Sequence, residues 1–122
     1  MKRVLASLAI LLVATSFVFA SGAKESADKK QLMGVVTPSA DHGFTAESIQ
    51  HCEAQVKALA AEHGFDYRFM TAAESGEQSN AVETILGMKP DVMILWPVTG
   101  DELRSAAQSV MEAGVPLIVY DR

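Results

Sequence analysis

Asp91-Val92-Met93-Ile94-Leu95-Trp96 and Val115-Pro116-Leu117-Ile118-Val119-Tyr120 are the two stretches that decide the fold. Their centres, VMIL and LIVY, are apolar runs with no polar–apolar alternation. A strand with one wet face alternates; a strand covered on both faces does not. Both stretches therefore predict strands of a sheet sandwiched between helices. Between them lies Thr99-Gly100-Asp101-Glu102, a hydroxyl residue followed three positions later by a carboxylate, which reads as a capping box. The helix it opens carries Leu103, Ala106, Val110 and Met111 inward, and Gly114 ends it.

Working toward the N-terminus, the same alternation of periods repeats. Leu32 to Thr37 is a short apolar run stopped by Pro38. From Phe44 to His63 a stripe runs through Ile49, Cys52, Val56 and Leu59 at helical spacing, and Gly64 offers a left-handed stop. Tyr67 to Thr71 reads as a strand. Ser75-Gly76-Glu77-Gln78 reads as another capping box, opening a helix that buries Val82, Ile85 and Leu86 and is barred by Pro90. The order is βαβαβαβ, which implies parallel pairing through helical crossovers. The expected fold is a doubly wound α/β layer with strand order 2-1-3-4. Crossovers are right-handed, so the first helix lies on one face and the next two on the other. The first helix does not reach strands 3 and 4, which calls for a further helix there. The sequence thus reads as the front part of a longer protein.

The 122 residues allow one small domain. Their 10 Lys+Arg against 15 Asp+Glu give a formal charge of −5, the wrong sign for a nucleic-acid partner. One cysteine excludes an internal disulfide framework and a cysteine-rich zinc site, and neither a metal nor a cofactor is expected. Lys2 and Arg3 precede Val4 to Ala20, a stretch without charge that ends in Val18-Phe19-Ala20. That is the pattern of a secretory signal peptide. Thr15 and Ser16 interrupt the run, so no stable membrane insertion is expected after cleavage, and the mature chain belongs in the periplasm. The expected division is 1–20 signal peptide, 21–30 flexible lead, and 31–122 a partial N-terminal lobe of a two-lobe protein. Cys52 reads as a small core residue on the first helix.

Ligands of open α/β sheets bind beyond the carboxyl ends of the strands. Those ends carry Ser39 to Phe44, Ala73-Glu74-Ser75, Trp96 to Thr99, and Asp121-Arg122. An ionised Asp121 only accepts hydrogen bonds, and Arg122 is a rigid fork of donors. Together they suit vicinal hydroxyls, which both give and take. Phe44 or Trp96 can cover the C–H face of a sugar ring. Asp41, Phe44, Trp96, Asp121 and Arg122 are the candidate ligand-binding residues. Plainer roles stand beside these: Asp41 as a helix cap, Trp96 as core, Asp121-Arg122 as a surface ion pair. His42 reads as a first-turn residue, exposed or satisfied locally, His51 as a solvated helix position, and His63 as a last-turn residue where a cation is favoured.

No Gly-x-Gly-x-x-Gly follows the first strand, and no phosphate loop or Gly-x-Ser-x-Gly elbow is present, so an enzyme is not expected. A repressor sharing such a fold needs a basic helix-turn-helix where the apolar leader stands. Residues 31–122 resemble the N-terminal part of the periplasmic sugar-binding proteins of ABC importers, the ribose- and galactose-binding-like group. The residues that carry the resemblance are PSADHGF, His63-Gly64-Phe65, DVMILWPVTGDEL and, above all, GVPLIVYDR. It spans about the first third of a typical member. The resemblance implies capture of a sugar or polyol between two lobes and delivery to the permease subunits of an ABC importer. It also implies that Asp121 and Arg122 bind sugar hydroxyls and that Phe44 packs on the ring. Trp96 departs from the ribose-type members, which often carry Asn there. A secreted module that senses sugar and reports to a membrane receptor is the alternative.

Overall fold

The computed structural model describes residues 29–40 and 42–121. The apolar leader, Asp41 and Arg122 lie outside the described residues. Four strands, β1 (Leu32–Pro38), β2 (Asp66–Ala72), β3 (Val92–Leu95) and β4 (Leu117–Val119), alternate with three helices, α1 (Gly43–His63), α2 (Ser75–Gly87) and α3 (Arg104–Glu112). The sheet is wholly parallel in the order β2-β1-β3-β4, as the period pattern predicts. Register runs from Leu32 opposite Asp66 to Pro38 opposite Ala72, from Met33 opposite Val92 to Val36 opposite Leu95, and from Met93 opposite Leu117 to Leu95 opposite Val119.

Alternation along the strands sorts the side chains between two layers. On one face Val36, Met93 and Leu95 meet Ala81, Val82 and Ile85 of α2, and Leu103, Ala106 and Val110 at and within α3. This is the main core. Gly34 lies on that face, where an added Cβ would fall on Ile85 Cγ2 and within 3.2 Å of Met93 Cγ. Glycine here lets α2 approach β1 closely. On the other face α1 buries Ala46, Ile49, Val56 and Ala60. Gly64 then ends α1 in the left-handed conformation, φ 76°, with its N–H on the Ala60 carbonyl.

Several sequence expectations are corrected. Leu59 is exposed, and Ala60 takes the inward place. A 3.6-residue period counted from Ile49 and Val56 lands on residue 60, so Leu59 is rotated off the face. Met111 also turns to solvent beyond Val110. Ser75 is not a cap: Glu74 stands at the N-cap of α2, and no side chain caps that end. Instead Glu77 reaches back to accept the Ala73 N–H at 3.1 Å. Thr99 does not open α3 directly, because turns over 100–103 intervene and α3 begins at Arg104. Cys52 is half-buried rather than core.

The LIVY run predicts two covered faces, but Ile118 and Tyr120 are 56% and 52% exposed. The topology explains this. α1 connects β1 to β2 and lies over that side of the sheet, so the α1-side faces of β3 and β4 have no helix upon them among the described residues.

Candidate functional site

The parallel order places all four carboxyl ends along one edge of the sheet, in the sequence β2, β1, β3, β4. The ladders continue past the strand ends and hold the loops at that edge. Ser39 N–H donates to the Ala72 carbonyl at 2.8 Å, Trp96 N–H to Val36 at 2.9 Å, and Tyr120 N–H to Leu95 at 2.9 Å. Thus the segments after β1, β3 and β4 start from fixed backbone.

Of the five candidate residues, the structure describes three. Phe44 sits in the first turn of α1 with its side chain 76% exposed. Trp96 follows β3 and is only 7% exposed. Its indole N–H donates to Asp121 Oδ2 at 3.1 Å, and its ring meets the Tyr120 ring edge-on, with centroids 5.2 Å apart and planes at 89°. Asp121 itself adopts φ 75°, a left-handed conformation that Asp tolerates better than most side chains. The structure therefore joins Trp96 and Asp121 directly and leaves Phe44 apart, in the first turn of α1.

Gln78 has a role that the capping-box reading missed. It is fully buried, and its side chain spans from α2 to the loop after β3. Its Nε2 donates to the Trp96 carbonyl at 2.9 Å, and its Oε1 accepts the Val98 N–H at 2.7 Å. The signal was present in the sequence. Gln78 stands four and seven residues before Val82 and Ile85, on the same buried helical face, and a polar side chain there needs partners.

A second tether binds the same loop. Thr99 Oγ1 donates to Glu102 Oε2 at 3.1 Å and lies 3.0 Å from Ser75 Oγ at the start of α2. Hydrogen bonds from the Ser75 and Thr99 hydroxyls hold the Glu102 carboxyl below its ordinary value of 4.5. The loop that carries Trp96 is thus pinned to α2 at both ends. Pinned loops lose less entropy when a ligand arrives.

Beside this edge, Ile94, Trp96, Ile118 and Tyr120 face Ser48, His51, Cys52 and Gln55 of α1 across a groove of about 410 Å³. Its floor is apolar. Burial, and secondarily the charge of Glu53, push the Cys52 thiol above its ordinary value, away from the reactive thiolate. Among the described residues there is no cluster of metal-ligating side chains and no helix long and apolar enough to cross a membrane.

A family model described as a periplasmic binding protein domain matches residues 33–122. Three solved structures show the same fold. An ABC sugar transporter subunit from Rhodobacter sphaeroides 2.4.1 superposes with a TM-score of 0.64 at 23% identity, over 73% of this chain and 30% of that one. An ABC transporter solute binding protein from Bacillus halodurans C-125 with bound myo-inositol gives 0.62 at 23% identity, over 80% and 33%. A protein from Brachyspira murdochii described as an ABC transporter, LacI family transcriptional regulator, gives 0.62 at 22% identity, over 75% and 28%. The chain spans about a third of the length of these structures.

Proposed function

The chain belongs to the periplasmic binding protein domain family, and from that premise we propose that it supplies one rim of a cleft that captures a neutral sugar or polyol outside the cytoplasmic membrane. In this reading the occupied protein delivers its ligand to the membrane subunits of an ABC importer, and the family is a solute-binding fold rather than an enzyme class. Residues 1–20 direct export and are removed, 21–30 form a flexible lead, and 31–122 form part of an N-terminal lobe.

What supports the reading is that an exposed ring and a tethered carboxylate stand in segments that follow strand carboxyl ends at the same edge of the sheet. Phe44 offers an apolar face to sugar C–H groups, and Asp121 offers acceptors to hydroxyls. A neutral polyol needs both, because each of its carbons carries an apolar hydrogen and most carry a hydroxyl. Arg122, next in sequence, adds a planar donor fork that lysine does not reproduce, and Asp41, three residues before Phe44 in sequence, adds a second carboxylate. The myo-inositol held by the Bacillus halodurans protein is a ligand of this chemistry.

Saturation-transfer NMR of the chain against myo-inositol, glycerol, ribose and galactose tests the proposal. One rim alone leaves much of a ligand in water, so the expected result is saturable but weak binding, with a Kd near the millimolar range, about −4 kcal/mol. Transfer to none of the four, or equal transfer to all of them and to an acidic sugar, contradicts it.

A further inference from the structure

The indole beside Asp121 is largely buried and lines the groove against α1. We propose that Trp96 is a positioning residue: its indole N–H aims the Asp121 carboxylate, and ring stacking is left to Phe44. This rests on the reading of Asp121 as a ligand to sugar hydroxyls. Four observations lead to it. The indole Nε1 lies 3.1 Å from Asp121 Oδ2, across 25 residues of sequence, so the contact is a product of the fold and not of local chain geometry. The ring is 7% exposed and is braced edge-on by Tyr120, so it presents little face to a ligand. The Trp96 backbone is held from both sides, its N–H on the Val36 carbonyl and its carbonyl on buried Gln78. Asp121 stands at φ 75°, a conformation that persists in a non-glycine residue when its surroundings over-determine it.

These facts combine into a short relay of position. Gln78 fixes Trp96, Trp96 fixes Asp121 Oδ2, and the carboxylate then meets a sugar with its orientation already set. A carboxylate has about four acceptor sites across its two oxygens. One indole hydrogen occupies a single one of these sites. A preset acceptor also discriminates between epimers, because a hydroxyl on the wrong face of the ring does not meet it.

The chain has a single tryptophan, so its indole N–H gives one NMR resonance. In Asp121→Ala that resonance is expected to move, and its exchange with solvent to rise about tenfold or more as the hydrogen bond is lost. Asp121→Asn keeps a carbonyl acceptor and should restore most of the protection. Trp96→Phe keeps an aromatic ring but removes the donor together with part of the indole's volume. There the Asp121 carboxyl carbon resonance should move while amide signals of the core strands stay in place, and myo-inositol should bind about tenfold more weakly than to the parent chain. An indole resonance and exchange rate that ignore Asp121→Ala overturn the tether, whatever the sugar does. Unchanged myo-inositol affinity in folded Trp96→Phe reduces the tether to packing and overturns its positioning role. An indole signal that follows Asp121 in a chain that never responds to myo-inositol supports the tether and overturns the polyol reading. The two failures are therefore distinct.

Discussion

Replacing Gln78 with methionine removes two hydrogen bonds while nearly conserving side-chain volume. The first is the 2.9 Å bond from Nε2 to the Trp96 carbonyl, which lies in the core; the second is the 2.7 Å bond that the Val98 N–H donates to Oε1 in the part-buried loop. Depriving a buried polar group of its partner costs about 1–3 kcal/mol, and an ordinary net hydrogen bond contributes about 1 kcal/mol. The expected destabilisation is therefore about 2–4 kcal/mol, a large share of the ~5–15 kcal/mol that holds a domain together. Volume change adds little, since Gln→Met fills the same space. Trp96 is the sole tryptophan, so its fluorescence reports the residue that Gln78 holds. In urea the slope for a small domain is about 1–3 kcal/mol/M, and the midpoint should fall by about 1–2 M with an unchanged slope. A midpoint equal to that of the parent chain would refute the claim that Gln78 is a structural clamp between α2 and the β3 loop.

Gly34→Ala drives a methyl group into Ile85 and Met93 and should cost about 1–3 kcal/mol by overpacking. An Ile85→Ala background should absorb part of that cost, and a double-mutant cycle by denaturation checks it. The Glu102 carboxyl is held low by the Ser75 and Thr99 hydroxyls, so its tether is fully present above the unfolded value near 4.5 and is lost as pH falls through the lower folded value. Amide signals of Ser75 and Thr99 should titrate with a midpoint below 4.5, and Glu102→Gln should abolish the titration; a midpoint above 4.5 contradicts the network. Expression in an exporting host should yield a chain beginning at or near Ser21 by mass spectrometry, and a soluble product that keeps Met1 contradicts the export reading.

The strands and their order were legible because burial imposes a period that the residues show. VMIL and LIVY lack alternation, which marked them as strands of a parallel sheet even though one face of β3 and β4 carries no helix among the described residues, and the right-handed crossover rule then leaves few topologies. The helix stripes were legible to within one residue. Leu59 misled because a hydrophobic residue one step off the inward face still fits a 3-4 spacing, while the small Ala60 takes the buried place. Capping motifs misled for a different reason. Ser75 and Gln78 match the capping spacing, but the spacing does not say whether Gln78 turns back to its own helix or across to β3. Burial decides, and it sends Gln78 across. The edge at which the strand carboxyl ends gather was legible, since topology alone aligns them. The Trp96–Asp121 contact was not, because it depends on the indole orientation and on the left-handed turn at Asp121, neither of which a residue pattern specifies.

The most direct test of the account is where a polyol lands on the chain. Amide chemical-shift mapping with myo-inositol added to a labelled sample, up to the millimolar range, reads every loop at once. The account predicts that the shifts cluster at Ser39 to Phe44, Trp96 to Thr99 and Tyr120-Asp121, with the indole N–H of Trp96 moving alongside them and the opposite sheet edge, around Leu32, Asp66 and Asp91, left unmoved. Shifts centred on that opposite edge, or on the groove beside Cys52 and Gln55 with Phe44 and Asp121 untouched, would contradict it.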